Sequence, residues 1–283
     1  MSPELVIVLA GSLIGASCAL VGTFLVLRGT AMLGDAISHA VLPGIVIAFL
    51  LTGQRSPLPM LLGAGALGVL TVALVGLTRS SGLLADDASI GVVFPALFAL
   101  GVVLVTQFGS QVDLDLDCVL FGEIAYAPFD TWLVGGTDLG PKALWVGALT
   151  LVVDLLLVLL AYKELKLTTF DPALAALLGV SPLLVHYALM GAVSLTVVGA
   201  FESVGAILVV AMLVTPPAAA HLLTDRLWAT LVLAVALAVA AAGLGYLAAR
   251  WWDASIAGSM AAVAGAELFL AWMPAPRHGL RAR

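Results

Sequence analysis

A polytopic bundle of transmembrane α-helices is the fold class this sequence predicts, and three observations predict it. Hydrophobic residues make up 63% of the 283 and charged residues 10%, against roughly 45–50% and about 25% in soluble domains. Mean hydropathy is +1.19. Apolar runs recur from one end of the chain to the other, at lengths near the roughly 20 residues a helix needs to cross a bilayer. The runs define nine spans of an all-α bundle, at 5–27, 31–52, 58–78, 89–108, 143–162, 183–200, 204–222, 228–249 and 255–273. A break at Pro216-Pro217 into half-helices makes eight an alternative count. The whole chain, 1–283, reads as a single transmembrane domain with a short cytoplasmic segment at 163–182.

The first run, MSPELVIVLAGSLIGASCALVGTFLVLRG, lacks a basic leader and stays apolar too long for a cleaved signal peptide, so it is assigned as the first span. Gly11 and Gly15 in it either allow close approach of a neighbouring helix or are two small residues in a glycine-rich chain. After the fourth span comes an outer connection, 109–142, with Asp113, Asp115, Asp117, Glu123, Asp130 and Asp138 against Lys142 alone. Such a stretch either concentrates cations and meets a partner's basic patch or is a solvated loop. The fifth span contains Asp154, a charge within the membrane that calls for a polar helix neighbour or a water-filled crevice. Nine spans with an outer N-terminus put Arg28, Arg79, Lys163, Lys166, Arg226, Arg277, Arg281 and Arg283 on the cytoplasmic side. Only Arg55, Lys142 and Arg250 then face outward, which is the bias that orients membrane proteins.

The second span carries the most informative residues, Asp35 and His39 in RGTAMLGDAISHAVLPG. A spacing of four stacks both side chains on one helix face, one turn apart. Counted from Arg28 along an unbroken helix, they lie about 10 Å and 16 Å deep in a core roughly 30 Å thick. A lone carboxylate there costs several kcal/mol unless it is paired, so it should face a cavity or a partner rather than lipid. An oxygen and an imidazole nitrogen suit manganese, iron or zinc. Two ligands make a partial shell, and a two-fold homodimer presents two Asp and two His. The other reading has Asp35 and His39 bond each other, or Ser38, to stabilise packing.

KELKLTTFDPALAALLGVS, from Lys163, has the grammar of a short cytoplasmic helix. Asp171 is a good N-cap and Pro172 suits the first helical position. Ala173, Leu174 and their neighbours are strong helix formers, and Gly179 supplies a left-handed C′ residue. About two turns are unstable alone in water, so the apolar face led by Phe170 docks onto a protein partner or lies flat on lipid.

Other classes are disfavoured. A net charge of −6 offers no basic surface for nucleic acid. Cys18 and Cys118 are far apart and form neither a disulfide framework nor a metal motif. GxxxxGK[ST], HExxH and GxSxG are absent, so energy comes from a partner ATPase or from an ion gradient, the latter using Asp35 and Asp154 as proton relays. Glu202 lines an outer entrance or snorkels into water. His221, near Asp225 and Arg226, is an exit ligand or a neutral interfacial histidine, and His186 and Glu267 are weaker candidates.

RGTAMLGDAISHAVLPG closely resembles the second-helix signature of the permease subunits of manganese/zinc/iron ATP-binding cassette importers. DASIGVVFPALFALGVVLV, DLDCVLFGEI, KELKLTTFDPALAALLGVS and HYALMGAVSLTVVGAFESVGAILVVAMLVTPPAAAHLLTDRL resemble the same family in the same order. The resemblance implies a type II importer-like permease in the bacterial inner (plasma) membrane, working as a homodimer. It implies cytoplasmic ATPase subunits, an extracytoplasmic metal-binding protein, and no permanently bound cofactor. Asp35 and His39 match the family's metal-contacting positions, and Phe170, Asp171, Pro172, Ala173, Leu174 and Gly179 match its coupling helix. SHAVLPG is nearest the manganese-type members, which favours Mn2+ as cargo over Zn2+ or Fe2+. Many relatives have Asp-His where this chain has Asp117-Cys118, which weakens a relay role for that loop.

Overall fold

A helix that is apolar on every side must be buried on every side, and the first helix of this chain is the centre of the bundle. The computed structural model describes residues 2–52, 57–82, 85–108, 124–134 and 137–273. Helix α1 (Pro3–Leu27) is followed by α2 (Ala31–Ala40), α3 (Leu42–Thr52), α4 (Pro57–Ser80) and α5 (Asp86–Phe108). A 3-10 turn (Ile124–Tyr126) and an antiparallel hairpin, β1 (Thr131–Val134) with β2 (Thr137–Pro141), lie in the outer connection. Then come α6 (Lys142–Leu160), α7 (Tyr162–Phe170), α8 (Pro172–Leu177), α9 (Pro182–Val204), α10 (Ala206–Leu223), α11 (Leu227–Trp252) and α12 (Ile256–Trp272).

Every residue of α1 from Ile14 to Leu25 is buried, against α6, α9, α10 and α11. Helices α10, α11 and α12 pack on one another, while α3, α4 and α5 form a more exposed group joined to the centre through α2 and α9. Eight spans among the described residues are 18 residues or longer and apolar enough to cross a membrane, with α2 and α3 counted together as Ala31–Thr52. The ninth expected span is α12, an apolar helix of 17 residues, near the short end of the crossing range of about 17–25. Trp251 and Trp252 at one end of α11 and Trp228 at the other are exposed, where amphipathic rings settle at the two interfaces.

Three departures from the sequence expectations have physical causes. Pro216 and Pro217 lie inside α10 without breaking it, because neighbouring groups and local adjustment accommodate proline within the membrane. The second span, expected to be continuous, breaks at Val41. Pro43 has no N–H for the carbonyl of His39, and the Gly44 N–H bonds the Val41 carbonyl at 2.9 Å instead. The outer connection, read as a loop, contains the hairpin, whose end is tied to α6 by the Trp145 indole donating to the Leu139 carbonyl at 2.9 Å.

Long-range contacts join helix ends on the two sides of the bundle. Arg28 reaches Thr168 and Thr169 on one side of the bundle. Glu4 pairs with Arg250 at 3.1 Å on the other, an exposed contact worth little energetically. Thr23, Thr71 and Thr150, buried inside the spans, each donate to the carbonyl four residues back in their own helix.

Small residues set the helix spacing, but not where the GxxxG pair suggests. At Gly11 an added Cβ would meet the side-chain ends of Met260 and Ile124, and at Gly15 it would make ordinary contact with Met212 and Ala238. The tight crossing of α1 is at Gly22, where a Cβ would overlap the backbone carbonyl of Leu213 on α10.

Asp154 on α6 has polar helix neighbours. Ser17 on α1 donates to its Oδ2, and Thr196 Oγ1 on α9 lies 2.7 Å from the same oxygen. The side chain is wholly buried, and Oδ1 has no hydrogen-bond partner. Three central helices therefore share one polar knot.

Two pairs of variants test this core. Gly22→Ala forces α1 and α10 apart and costs about 1–3 kcal/mol as overpacking. Gly76→Ala, where a Cβ meets open space, is the control. Thermal unfolding in detergent should show a lower midpoint for the first only, and equal midpoints would contradict the crossing. Asp154→Ala should cost about 1–3 kcal/mol by unpairing buried hydroxyls, whereas Asp154→Asn, which keeps an acceptor, should cost less. Equal losses in the two variants would contradict the knot.

Candidate functional site

Helix α2 is ten residues long and has one open face. Leu33, Gly34, Ala36, Ile37, Ser38 and Ala40 are buried against the bundle. Met32 is exposed, and Asp35 and His39 are half-buried. These three positions follow the i, i+3, i+7 spacing of a single stripe. The polar pair therefore lies on the side that this chain leaves uncovered.

The pair is assembled as the spacing requires. His39 Nε2 lies 3.5 Å from Asp35 Oδ1, with side-chain exposures of 28% and 41% respectively. Ser38 turns away: its hydroxyl donates to the Asp35 backbone carbonyl at 2.6 Å. Rings from α5 confine the imidazole, with the Phe94 centroid at 5.5 Å and the Phe98 centroid at 6.3 Å in an edge-on arrangement. An apolar wall thus limits the histidine on one side and leaves the carboxylate side open.

The geometry admits a cation between the two groups. Two ligand atoms about 2.1 Å from one ion stand about 3.4 Å apart at the tetrahedral angle and about 3.0 Å apart at a right angle. A gap of 3.5 Å lets one ion touch both with small side-chain movement. Among the described residues no group of three or more His, Cys, Asp or Glu is placed to hold a metal, so one copy of this chain offers two ligands. Each is the other's partner in this structure, as the packing reading expects, and the same spacing suits the ligand reading.

The distances along the helix axis are shorter than an unbroken helix from Arg28 implies. The chain turns at Arg28–Thr30 and helical rise begins at Ala31, which sets Asp35 about 6 Å and His39 about 12 Å along the axis. The turn is a Schellman closure: Gly29 N–H bonds Val26 at 3.1 Å and Thr30 N–H bonds Leu25 at 2.9 Å. Gly29 takes φ +67°, a conformation that side-chain-bearing residues resist.

The segment from Phe170 to Val180 forms as its sequence dictates. Asp171 caps α8, accepting from the Leu174 N–H at 2.9 Å, with Pro172 at the first position. Gly179 takes φ +83°, and a second Schellman closure runs from Val180 to Ala175 at 3.0 Å and from Gly179 to Ala176 at 3.2 Å. Ala173, Phe170, Leu174, Leu177 and Leu178 are exposed, Leu177 at 85%. An apolar face of spacing 170, 174, 177 and 178 is uncovered by this chain.

Arg28 joins the two regions, a contact the sequence reading missed. Its Nε donates to Thr169 Oγ1 at 3.1 Å and its Nη2 to Thr168 Oγ1 at 3.0 Å. Desolvation pulls the guanidinium below the ordinary arginine range while leaving it charged. No local signal pairs positions so far apart in sequence.

The remaining candidates are dispersed. Asp117 lies outside the described residues, as does Cys118. Glu202 is in the last turn of α9; its side chain lies outside the described residues. His221 is exposed in the last turn of α10. His186 on α9 lies edge-on to Tyr187 at 5.8 Å. Glu267 on α12 has a buried Oε2 without a hydrogen-bond partner. Among the described residues, His221, His186 and Glu267 form no metal-holding group with Asp35 and His39.

Comparisons with known proteins align with the whole of this architecture. The family model described as "ABC 3 transport family" matches residues 5–275. A protein named "Manganese transport system membrane protein MntD", from Bacillus subtilis (strain 168), is 51% identical over 280 residues, covering 99% of this chain and 95% of its own. "Zinc transport system membrane protein TroD", from Treponema pallidum (strain Nichols), is 46% identical over 274 residues, covering 97% and 74% respectively. The solved structure "PsaBC from Streptococcus pneumoniae in complex with Fab" superposes with a TM-score of 0.79 at 29% identity, covering 96% of this chain and 91% of that one.

Proposed function

The chain belongs to the ABC 3 transport family, and from that premise we propose that it is the membrane-spanning permease subunit of an ATP-binding cassette importer for a divalent metal ion. It is a multi-pass protein of the bacterial inner membrane and a transporter subunit rather than an enzyme, with ATP hydrolysis in a separate subunit. The observation that carries the metal pathway is that the open stripe of α2 bears Asp35 and His39. A carboxylate and an imidazole left uncovered within the membrane invite a cation and a second surface.

The cargo we assign is manganese. Support comes from the 51% identity to a protein named for manganese transport and from a ligand pair without thiolate. Zinc is the second reading, supported by the 46% identity to a protein named for zinc transport. Two copies of the chain, related by a two-fold axis, double the ligand set to two Asp and two His, and the open stripe suits such a partner.

The mechanism follows from partial coordination. Asp35 supplies charge and His39 a neutral nitrogen donor, so an arriving ion exchanges part of its hydration shell for two protein atoms. The site binds strongly enough to admit the ion and weakly enough to release it. An extracytoplasmic binding protein delivers the cargo. The apolar face of Phe170, Leu174, Leu177 and Leu178 docks in the ATPase subunit, and α8 carries its motion into the bundle.

Two experiments check the proposal. In proteoliposomes with ATPase subunits and binding protein, Asp35→Ala and His39→Ala should each lower manganese uptake at least about tenfold, a loss that even outer partners of a metal can cause. Subunit association should be intact; full uptake by both variants would remove the site. Leu177→Asp should weaken ATPase association about thirtyfold, as expected for loss of a hot spot of about 2 kcal/mol. Undiminished co-purification would move the docking surface elsewhere.

A further inference from the structure

Helix α2 is bracketed by two discontinuities. At its start the Schellman turn fixes Arg28, Gly29 and Thr30, and the Leu33 N–H adds a bond to the Thr30 carbonyl at 3.0 Å. At its end the ladder breaks at Val41, where Pro43 offers no N–H. Between the breaks, ten residues carry both Asp35 and His39. A segment of this kind moves as one body when its attached end is pushed, because packed elements shift between discrete arrangements rather than deform smoothly.

The attached end is held by an arginine fork. Thr168 Oγ1 donates to the Glu164 carbonyl at 2.8 Å, and Thr169 Oγ1 donates to the Leu165 carbonyl at 2.6 Å. Each hydroxyl hydrogen is thereby committed to the backbone of α7, and a lone pair of each oxygen faces Arg28 at 3.0 and 3.1 Å. Two donors on a rigid planar group fix direction as well as distance. Helix α7 ends at Phe170, and the next residue, Asp171, caps α8. From the exposed apolar face to the metal pair the chain of contacts is α8, α7, Thr168 and Thr169, Arg28, the fixed turn, and α2.

We propose that Arg28 is a positioning residue that transmits movement of the cytoplasmic coupling segment to α2, so that ATP hydrolysis and the orientation of Asp35 and His39 are linked through its two hydrogen bonds to Thr168 and Thr169. This rests on the reading of the chain as an importer permease and adds the element that joins its two functional regions. The hydrogen bonds of Arg28 go to Thr168 and Thr169, and not to Asp35 or His39. Its removal uncouples the two regions without removing either.

The test measures metal imported per ATP hydrolysed, in proteoliposomes holding the full complex with its binding protein and manganese as cargo. The variants are Arg28→Ala, Arg28→Lys and the double change Thr168→Val with Thr169→Val, which keeps side-chain shape. ATP hydrolysis per assembled complex should stay near the wild-type rate, while metal per ATP falls about tenfold in Arg28→Ala and in the double variant. Arg28→Lys, which keeps charge and loses the fork, should fall between. A merely structural contact would lower both rates together with the amount of complex, and that result overturns the proposal. An unchanged ratio in the double variant overturns it too, and that variant decides if Arg28→Ala fails to assemble. A wild-type complex that imports no metal on ATP addition would overturn the importer reading itself, and the coupling role with it.

Discussion

A carboxylate and an imidazole 3.5 Å apart on a short membrane helix are the constraint to which the rest of this structure answers. Hydrocarbon tolerates neither an isolated charge nor an unsatisfied backbone group. The helix that carries the pair therefore buries its other faces in α1, α4, α5, α9 and α10 and keeps only one stripe open. The pair is satisfied internally, yet it is neither sealed nor fully solvated. That intermediate state is what a transient cation site requires: a deep, closed ligand shell would trap its cargo, and a fully hydrated one would not select it.

Rigidity and freedom are divided along the chain. The central helix is buried without interruption from Ile14 to Leu25, crosses α10 at Gly22, and is tied through Ser17 to Asp154 and Thr196. Such a core does not deform easily. Helix α2, by contrast, lies between a fixed turn and a proline break, and its neighbours α4 and α5 are among the least buried spans. The proposed site thus lies on a short segment delimited at both ends, set against a frame that does not deform easily. Arg28 stands at the junction, at the end of α1 and the start of the turn into α2.

Much of this was legible in the sequence, for reasons that differ by element. Spans are read from apolar runs because a bilayer imposes their length, and the Asp35–His39 contact follows from a spacing of four on a helix. Asp171, Pro172 and Gly179 were readable because caps are local chemistry, and each takes the role its side chain suits. The break at Val41 had a signal in Pro43, yet Pro216 and Pro217 carry the same signal inside an intact helix; tertiary surroundings decide which proline interrupts. The Ser17–Asp154–Thr196 knot, the Phe94 and Phe98 wall, and the Arg28 fork were illegible. Each joins residues from distant spans, and no periodicity or spacing encodes which helices become neighbours.

The central claim is that a transported divalent ion passes through direct contact with the imidazole of His39. Pulsed electron paramagnetic resonance of manganese loaded into the reconstituted complex reads that contact, because a coordinated ring nitrogen couples to the electron spin of the metal. The account predicts a nitrogen coupling that changes frequency pattern with 15N-labelled histidine and disappears in His39→Gln. A bound manganese signal with no nitrogen coupling, or with coupling that persists unchanged in His39→Gln, would contradict it.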